Sequence, residues 1–239
     1  IDELEIYSRS RGRTPSVYWF NPTCDHEAGL RRPYTPTRKI REMARDLASL
    51  PMYLGAGDDA LLVPVRPTVR FLQSIKEAGF AIPEFVTYGD GSSSDGSVSG
   101  SLEASQTELA DRRLQDLRPW GWSAVSERIL QPLTANLPGG QHSVPESESM
   151  RGLYSKSWGV ELLRSLLSEF DEGDDWICDR SVVGEVCASR EQVEDSVDRF
   201  TANGFSEIVI KGPFGAAGQD QIRLAMGEGG RQHSFEAGM

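Results

Sequence analysis

Short apolar runs alternate with stretches in which apolar residues recur every three or four positions, and this rhythm fills the first third of the chain. "SVYWF" (16–20) is aromatic and β-branched, is closed by Asn21 and Pro22, and predicts a strand. From Thr35 to Leu50, the residues Ile40, Met43, Ala44, Leu47 and Leu50 share one helical face. Thr35 is the expected N-cap, Pro36 the first helical residue and Pro51 the stop. "DALLVPV" predicts a second strand, "PTVRFLQSIKEAG" a helix ended by Gly79, and "EFVTYG" a third strand. This alternation produces a parallel sheet with right-handed crossovers, an α/β, Rossmann-like unit. Ligands of such sheets lie beyond the carboxyl ends of the strands, here the loops starting at Asn21, around Val65 and Pro67, and at Gly89. The connection "NPTCDHEAGLRRPYT" is long and reads as either a functional loop or a solvated excursion.

Further along, the pattern changes. Residues 89–106 are nearly all Gly, Ser and Asp, have little to bury, and read as a mobile insertion. Trp120 and Trp122 in "LRPWGW" are expected beside a helix, packed in the core or stacked on a ligand. "PGGQHSVPESES" marks a boundary between a domain 1–148 and a domain 149–239. In the second domain Leu153, Trp158, Leu162, Leu163, Leu166 and Leu167 form a helical stripe, and "SVVGEVC" predicts a strand. "SREQVEDSVDRFTANG" predicts a helix with Ser189 as N-cap, Gln192 at the capping-box position and Gly204 at its end. "SEIVI" is the next strand, and "QIRLA" is expected to pair back on it as a hairpin, so this smaller unit is α+β.

Composition narrows the function classes. With 36 acidic against 25 basic residues the net charge is -11, which repels nucleic acid and anionic membranes. No stretch approaches the roughly 18 apolar residues a membrane helix needs, and a cytoplasmic protein is expected. Cys24, Cys178 and Cys187 show no C-x-x-C spacing, and reduced thiols are expected. His26, His142 and His233 are far apart, and the adjacent Cys24, Asp25 and His26 read as loop, so no metal site is expected.

The chemistry concentrates in "EIVIKGPFGAAGQDQIRL" (207–224). Lys211 closes what reads as a buried strand, and an isolated buried charge costs several kcal/mol unless paired. Gly212, Gly215 and Gly218 permit close approach, and successive amides there can face one anion. A lysine with a ring of backbone donors suits a phosphate, best a nucleotide polyphosphate; a plain glycine hairpin with a surface lysine is the alternative. The lysine precedes the glycines and the loop leads into a strand, so neither a P-loop nor a dinucleotide fingerprint is present.

The segment "NGFSEIVIKGPFGAAGQDQIRL", behind the helix "SREQVEDSVDRF", resembles the lid subdomain of ATP-grasp ligases. Lys156 in "SKSWGVELL" is similar to the first ATP-contacting lysine of that family. "VYWFNPTCDHEAG", "YTPTRKIREMARDLASLP" and "RPWGW" resemble the pre-ATP-grasp domain of uncharacterised bacterial members. The resemblance implies ATP held by Lys156, Lys211, Gly212, Gly215, Ala216, Ala217 and Gly218, with Arg223 as a second cation or simply a solvated arginine. It implies Asn21 and Asp25 shaping the pocket of the acceptor. The implied reaction joins a small carboxylate to an amine, or a thiol, through an acylphosphate. The family's acidic Mg²⁺ ligands follow the lid, whereas only 28 residues follow Lys211 (239 minus 211) and none is Asn. The chain is therefore expected to be the front part of a ligase, inactive alone, with Mg²⁺ bound only by a further part and with self-association or limited stability. The alternatives are a non-catalytic nucleotide- or partner-binding module on that scaffold, and an unrelated two-domain α/β enzyme such as a nucleotide-sugar transferase.

Overall fold

The computed structural model describes residues 13–30, 34–88, 109, 112–140, 147–170, 177–215, 221–227 and 230–232. The chain divides into two compact units, Ile1–Ser147 and Glu148–Met239. The insertion expected at 89–106, and His142 and His233, lie outside the described residues.

The first unit is built on four parallel strands, β1 (Ser16–Trp19), β2 (Ala60–Val63), β3 (Glu84–Thr87) and β4 (Asp116–Pro119), in the spatial order β3-β2-β1-β4. β1 and β2 are buried at every position, which is why they read as continuous apolar runs rather than alternating ones. One face carries Val17, Trp19, Ala60, Leu62 and Val86, packed with Leu114, Ile129, Leu130 and Leu133. The other carries Tyr18, Leu61, Val63 and Phe85, covered by Ala48, Met52 and Ile75. The expected parallel α/β sheet is thus observed, with helical segments against both faces. At its amino end the buried Asp59 carboxylate accepts from the amides of Ser16 and Ala56, each at 2.8 Å, and from Arg13 at 2.6 Å.

Four local differences from the sequence reading have clear causes. The 21–35 connection is not all loop, because Cys24–Leu30 forms a short helix, α1. The next helix, α2, spans Arg38–Asp46 and starts later than expected: Thr37, not Thr35, is the N-cap, its hydroxyl accepting from the Ile40 amide at 3.4 Å. Leu50 and Pro51 open a 3-10 turn (Leu50–Tyr53) instead of ending α2, since proline is tolerated in a first turn. β4 was not anticipated at all. Its sequence, DLRP, buries only Leu117 while Asp116 and Arg118 pair with each other at the rim, and an edge position tolerates Pro119. Trp122 packs against the core behind it, and Trp120 remains about half exposed, edge-on to Phe20. Helix α3 (Val69–Glu77) follows its pattern, with Gly79 at φ 85° just past its end, where a left-handed residue is required. Helix α4 (Ala124–Leu130) follows β4, capped by Ser123.

The second unit contains α5 (Ser147–Tyr154), α6 (Lys156–Ser168), α7 (Arg190–Ala202) and an antiparallel sheet of β5 (Glu207–Lys211), β6 (Gln221–Gly227) and β7 (Gly230–Gln232). The predicted hairpin pairs as expected, Ile208 opposite Leu224 and Lys211 opposite Gln221. Ser189 caps α7, accepting from the Gln192 amide at 3.2 Å, and the Gln192 side chain reaches one residue beyond the expected box, to the Ala188 amide at 2.7 Å. The segment read as a strand, SVVGEVC, is no strand: Arg180–Val182 is a 3-10 turn, and no neighbouring strand pairs with 183–187 among the described residues. Side chains hold it instead, Glu185 accepting from Ser196 and Arg199, and the Gly184 carbonyl accepting from Arg164 at 3.0 Å. Of the predicted stripe, which Ser155 divides between α5 and α6, Leu167 is buried, whereas Leu153 of α5 and Trp158, Leu162, Leu163 and Leu166 of α6 are exposed.

Candidate functional site

The glycine loop after β5 is met by the start of α6. Ser155 fixes that start, its hydroxyl accepting from the Ser157 amide at 3.2 Å. The Lys156 amide, free of an intrahelical partner in the first turn, donates to the Pro213 carbonyl at 2.9 Å. The Lys156 ammonium donates to the Gly215 carbonyl at 2.7 Å. Gly215 adopts φ 128°, a conformation that side chains disfavour, so the loop turns there on a residue the sequence reserved for it. From α5, the Arg151 guanidinium lies 4.9 Å from the centre of the Phe214 ring.

Lys211 opens this loop. The strand that carries it is half-exposed rather than buried: Glu207, Val209 and Lys211 face solvent, while Ile208 and Ile210 turn inward. The lysine therefore avoids the desolvation that a buried strand would impose and presents its charge on the open face. Arg223, opposite Val209 on that face, lies 3.7 Å from the Glu207 carboxylate, diagonally across the ladder. Gly212 sits between Lys211 and Pro213; Ala216, Ala217 and Gly218 lie outside the described residues. The structure thus brings Lys156 to the loop that Lys211 begins, and adds Arg151 and Phe214, which the sequence reading missed. A motif search over the loop alone has no means of finding Arg151, because the pairing joins a helix to a loop far along the chain.

The first unit holds a second cluster, where the sheet changes direction. The chain leaves β1 for β2 on one side and returns to β4 on the other, so the carboxyl ends of β1 and β4 form the topological switch point. Asn21 clamps them: its Nδ2 donates to the Gly121 carbonyl at 2.6 Å, and its Oδ1 accepts from the Gly121 amide at 3.1 Å. Asp25 accepts from the His26 amide at 2.8 Å, with His26 Nδ1 at 3.2 Å from the same oxygen. His26 is buried and stacked on Tyr34, 4.7 Å between ring centres, and its Nε2 has no partner among the described residues. Glu27 accepts from Thr23 at 2.9 Å and from Ser123, tying α1 to the cap of α4. Burial raises the Glu27 carboxyl above its ordinary range, against the two hydroxyls that lower it. Burial, reinforced by Asp25 and Glu27, pushes the Cys24 thiol up to about 12, so it is no nucleophile near neutral pH. On the β4 edge, Tyr18, Pro51, Leu54, Arg118, Pro119 and Trp120 line a cleft of about 450 Å³. The roles of Glu27 and Ser123 were not legible in the sequence, since 96 residues separate them.

Among the described residues no three His, Cys, Asp or Glu side chains lie together as metal ligands, and no helix is long and apolar enough to cross a membrane. No protein-family model, curated protein or solved structure matches the chain.

Proposed function

We propose that this protein holds ATP as the nucleotide-binding front part of an ATP-grasp carboxylate–amine ligase. On this reading the unit Ile1–Ser147 is a pre-ATP-grasp domain and the unit Glu148–Met239 a lid subdomain. The observation that carries the reading is the joint engagement of one loop by the two lysines that the resemblance selects: Lys211 begins it, and Lys156 donates to it through both its amide and its ammonium. Two cations beside a glycine turn suit a polyphosphate, whose charge they neutralise at close range. A bound phosphate would compete with the Gly215 carbonyl for the Lys156 ammonium, so that this lysine exchanges a neutral acceptor for a charged one.

In the implied reaction a substrate carboxylate attacks the γ-phosphorus of ATP, ADP leaves, and an acylphosphate forms. An amine then displaces inorganic phosphate, losing a proton as the amide is made. Lys156 and Lys211 stabilise the charge on the phosphates, and the loop from Gly212 covers them and excludes water. No step here is routed through Mg²⁺. The switch-point residues Asn21 and Asp25 fall to the acceptor side on this reading. A cytoplasmic setting suits ATP use, and it suits the three free cysteines, Cys24, Cys178 and Cys187.

Titration of the full chain with ADP by calorimetry tests the assignment. Lys211→Ala and Lys156→Ala each remove a charge-assisted contact of about 1.5–3 kcal/mol, and so should weaken binding roughly ten- to hundredfold. An unaltered affinity in Lys211→Ala would end the ATP reading.

A further inference from the structure

Among the described residues, the loop that Lys211 opens touches two helices, and one of these contacts involves a lysine of the proposed site. The other is the stack of Arg151 on Phe214. Phe214 lies between Pro213, whose carbonyl accepts from the Lys156 amide, and Gly215, whose carbonyl accepts from the Lys156 ammonium. Three consecutive loop residues are therefore held at once: Pro213 and Gly215 by the first residue of α6, Phe214 by Arg151 of α5. A guanidinium over an aromatic face gains from the negative centre of the ring and from stacking, and it resists replacement by an apolar group of similar size.

We propose that Arg151 is a positioning residue of the phosphate site. It acts through Phe214, holding the near half of the glycine loop against α5, so that Lys211 and the following amides are in place before ligand arrives. This rests on the phosphate-binding reading of the loop and extends it to a helix outside the motif. The ligand class is a compound carrying a diphosphate or longer chain. Pre-organisation of this kind raises affinity by lowering the ordering cost at binding, without a new contact to the ligand. The near arm, 212–215, is fixed at two helices, and Gly215, with its positive φ, is the point at which the chain turns away.

Calorimetric titration of the full chain with ADP, and separately with inorganic pyrophosphate, tests the assignment. Arg151→Ala should weaken both ligands about tenfold, the scale of a partly desolvated cation–π contact. Arg151→Lys, which keeps a cation over the ring, should recover most of that loss. Phe214→Leu, which keeps an apolar side chain but removes the ring, should reproduce it, and the double variant should be no weaker than either single one. A merely structural role would lower the melting temperature without this charge rescue. Full affinity in Arg151→Ala beside lost affinity in Lys211→Ala would overturn the inference and leave the nucleotide reading standing. Additive losses in the double variant, or an Arg151→Lys protein as weak as Arg151→Ala, would overturn it equally. Failure of the parent chain to bind either ligand would overturn both. Should Arg151→Ala not fold, Phe214→Leu interrogates the same contact from the loop side.

Discussion

Replacing Asn21 by Ala tests whether the carboxyl ends of β1 and β4 are held together by one side chain. Asn21 is buried at 5% exposure, and its amide makes both available contacts with the buried backbone of Gly121, at 2.6 and 3.1 Å. Alanine leaves the Gly121 amide and carbonyl without partners in a site sealed from water. Each such orphan costs about 1–3 kcal/mol, so the variant should lose about 3 kcal/mol, a large share of the roughly 5–15 kcal/mol that holds a typical fold. Urea unfolding followed by tryptophan fluorescence reads the loss as a lower midpoint with an unchanged slope. Asn21→Asp adds a sign test. One oxygen still accepts from the Gly121 amide, while the other opposes the Gly121 carbonyl until it is protonated. Its folded pKa therefore lies above the unfolded value of about 3.9, and the stabilising proton is lost as pH rises through the folded value. The variant should approach the parent near pH 4 and fall behind it by pH 7. A loss below about 1 kcal/mol in Asn21→Ala, or a pH-independent deficit in Asn21→Asp, would refute the clamp.

Two further outcomes are expected. The Glu27 carboxyl is raised by burial, so its proton stabilises the fold below the unfolded pKa and this contribution is lost as pH climbs through the folded one; Glu27→Gln should flatten that part of a pH–stability profile, and an identical profile would count against it. Ser189→Ala removes the cap of α7 and should cost about 1 kcal/mol, while Ser189→Asp retains it; equal denaturation midpoints for the two variants would contradict the capping role.

The chain's own pattern settled what depends on near neighbours. Runs such as ALLV, buried at every position, announce strands covered on both faces; the cap at Ser189 and the left-handed glycines at 79 and 204 mark helix ends within a turn of their true place. The parallel order follows because the segments between those strands are long enough to cross back as helices. Tertiary structure alone decided what depends on residues far apart. β4 is polar by sequence and becomes a strand because β1 offers it an unpaired edge. SVVGEVC has strand propensity but no partner strand among the described residues, and stays irregular. Lys211 is exposed because its strand has one open face, and Lys156 finds the loop 59 residues later through the packing of α6. Propensity acts over a few residues, whereas an edge, an open face or a cation placed over a ring is defined only once separate elements meet.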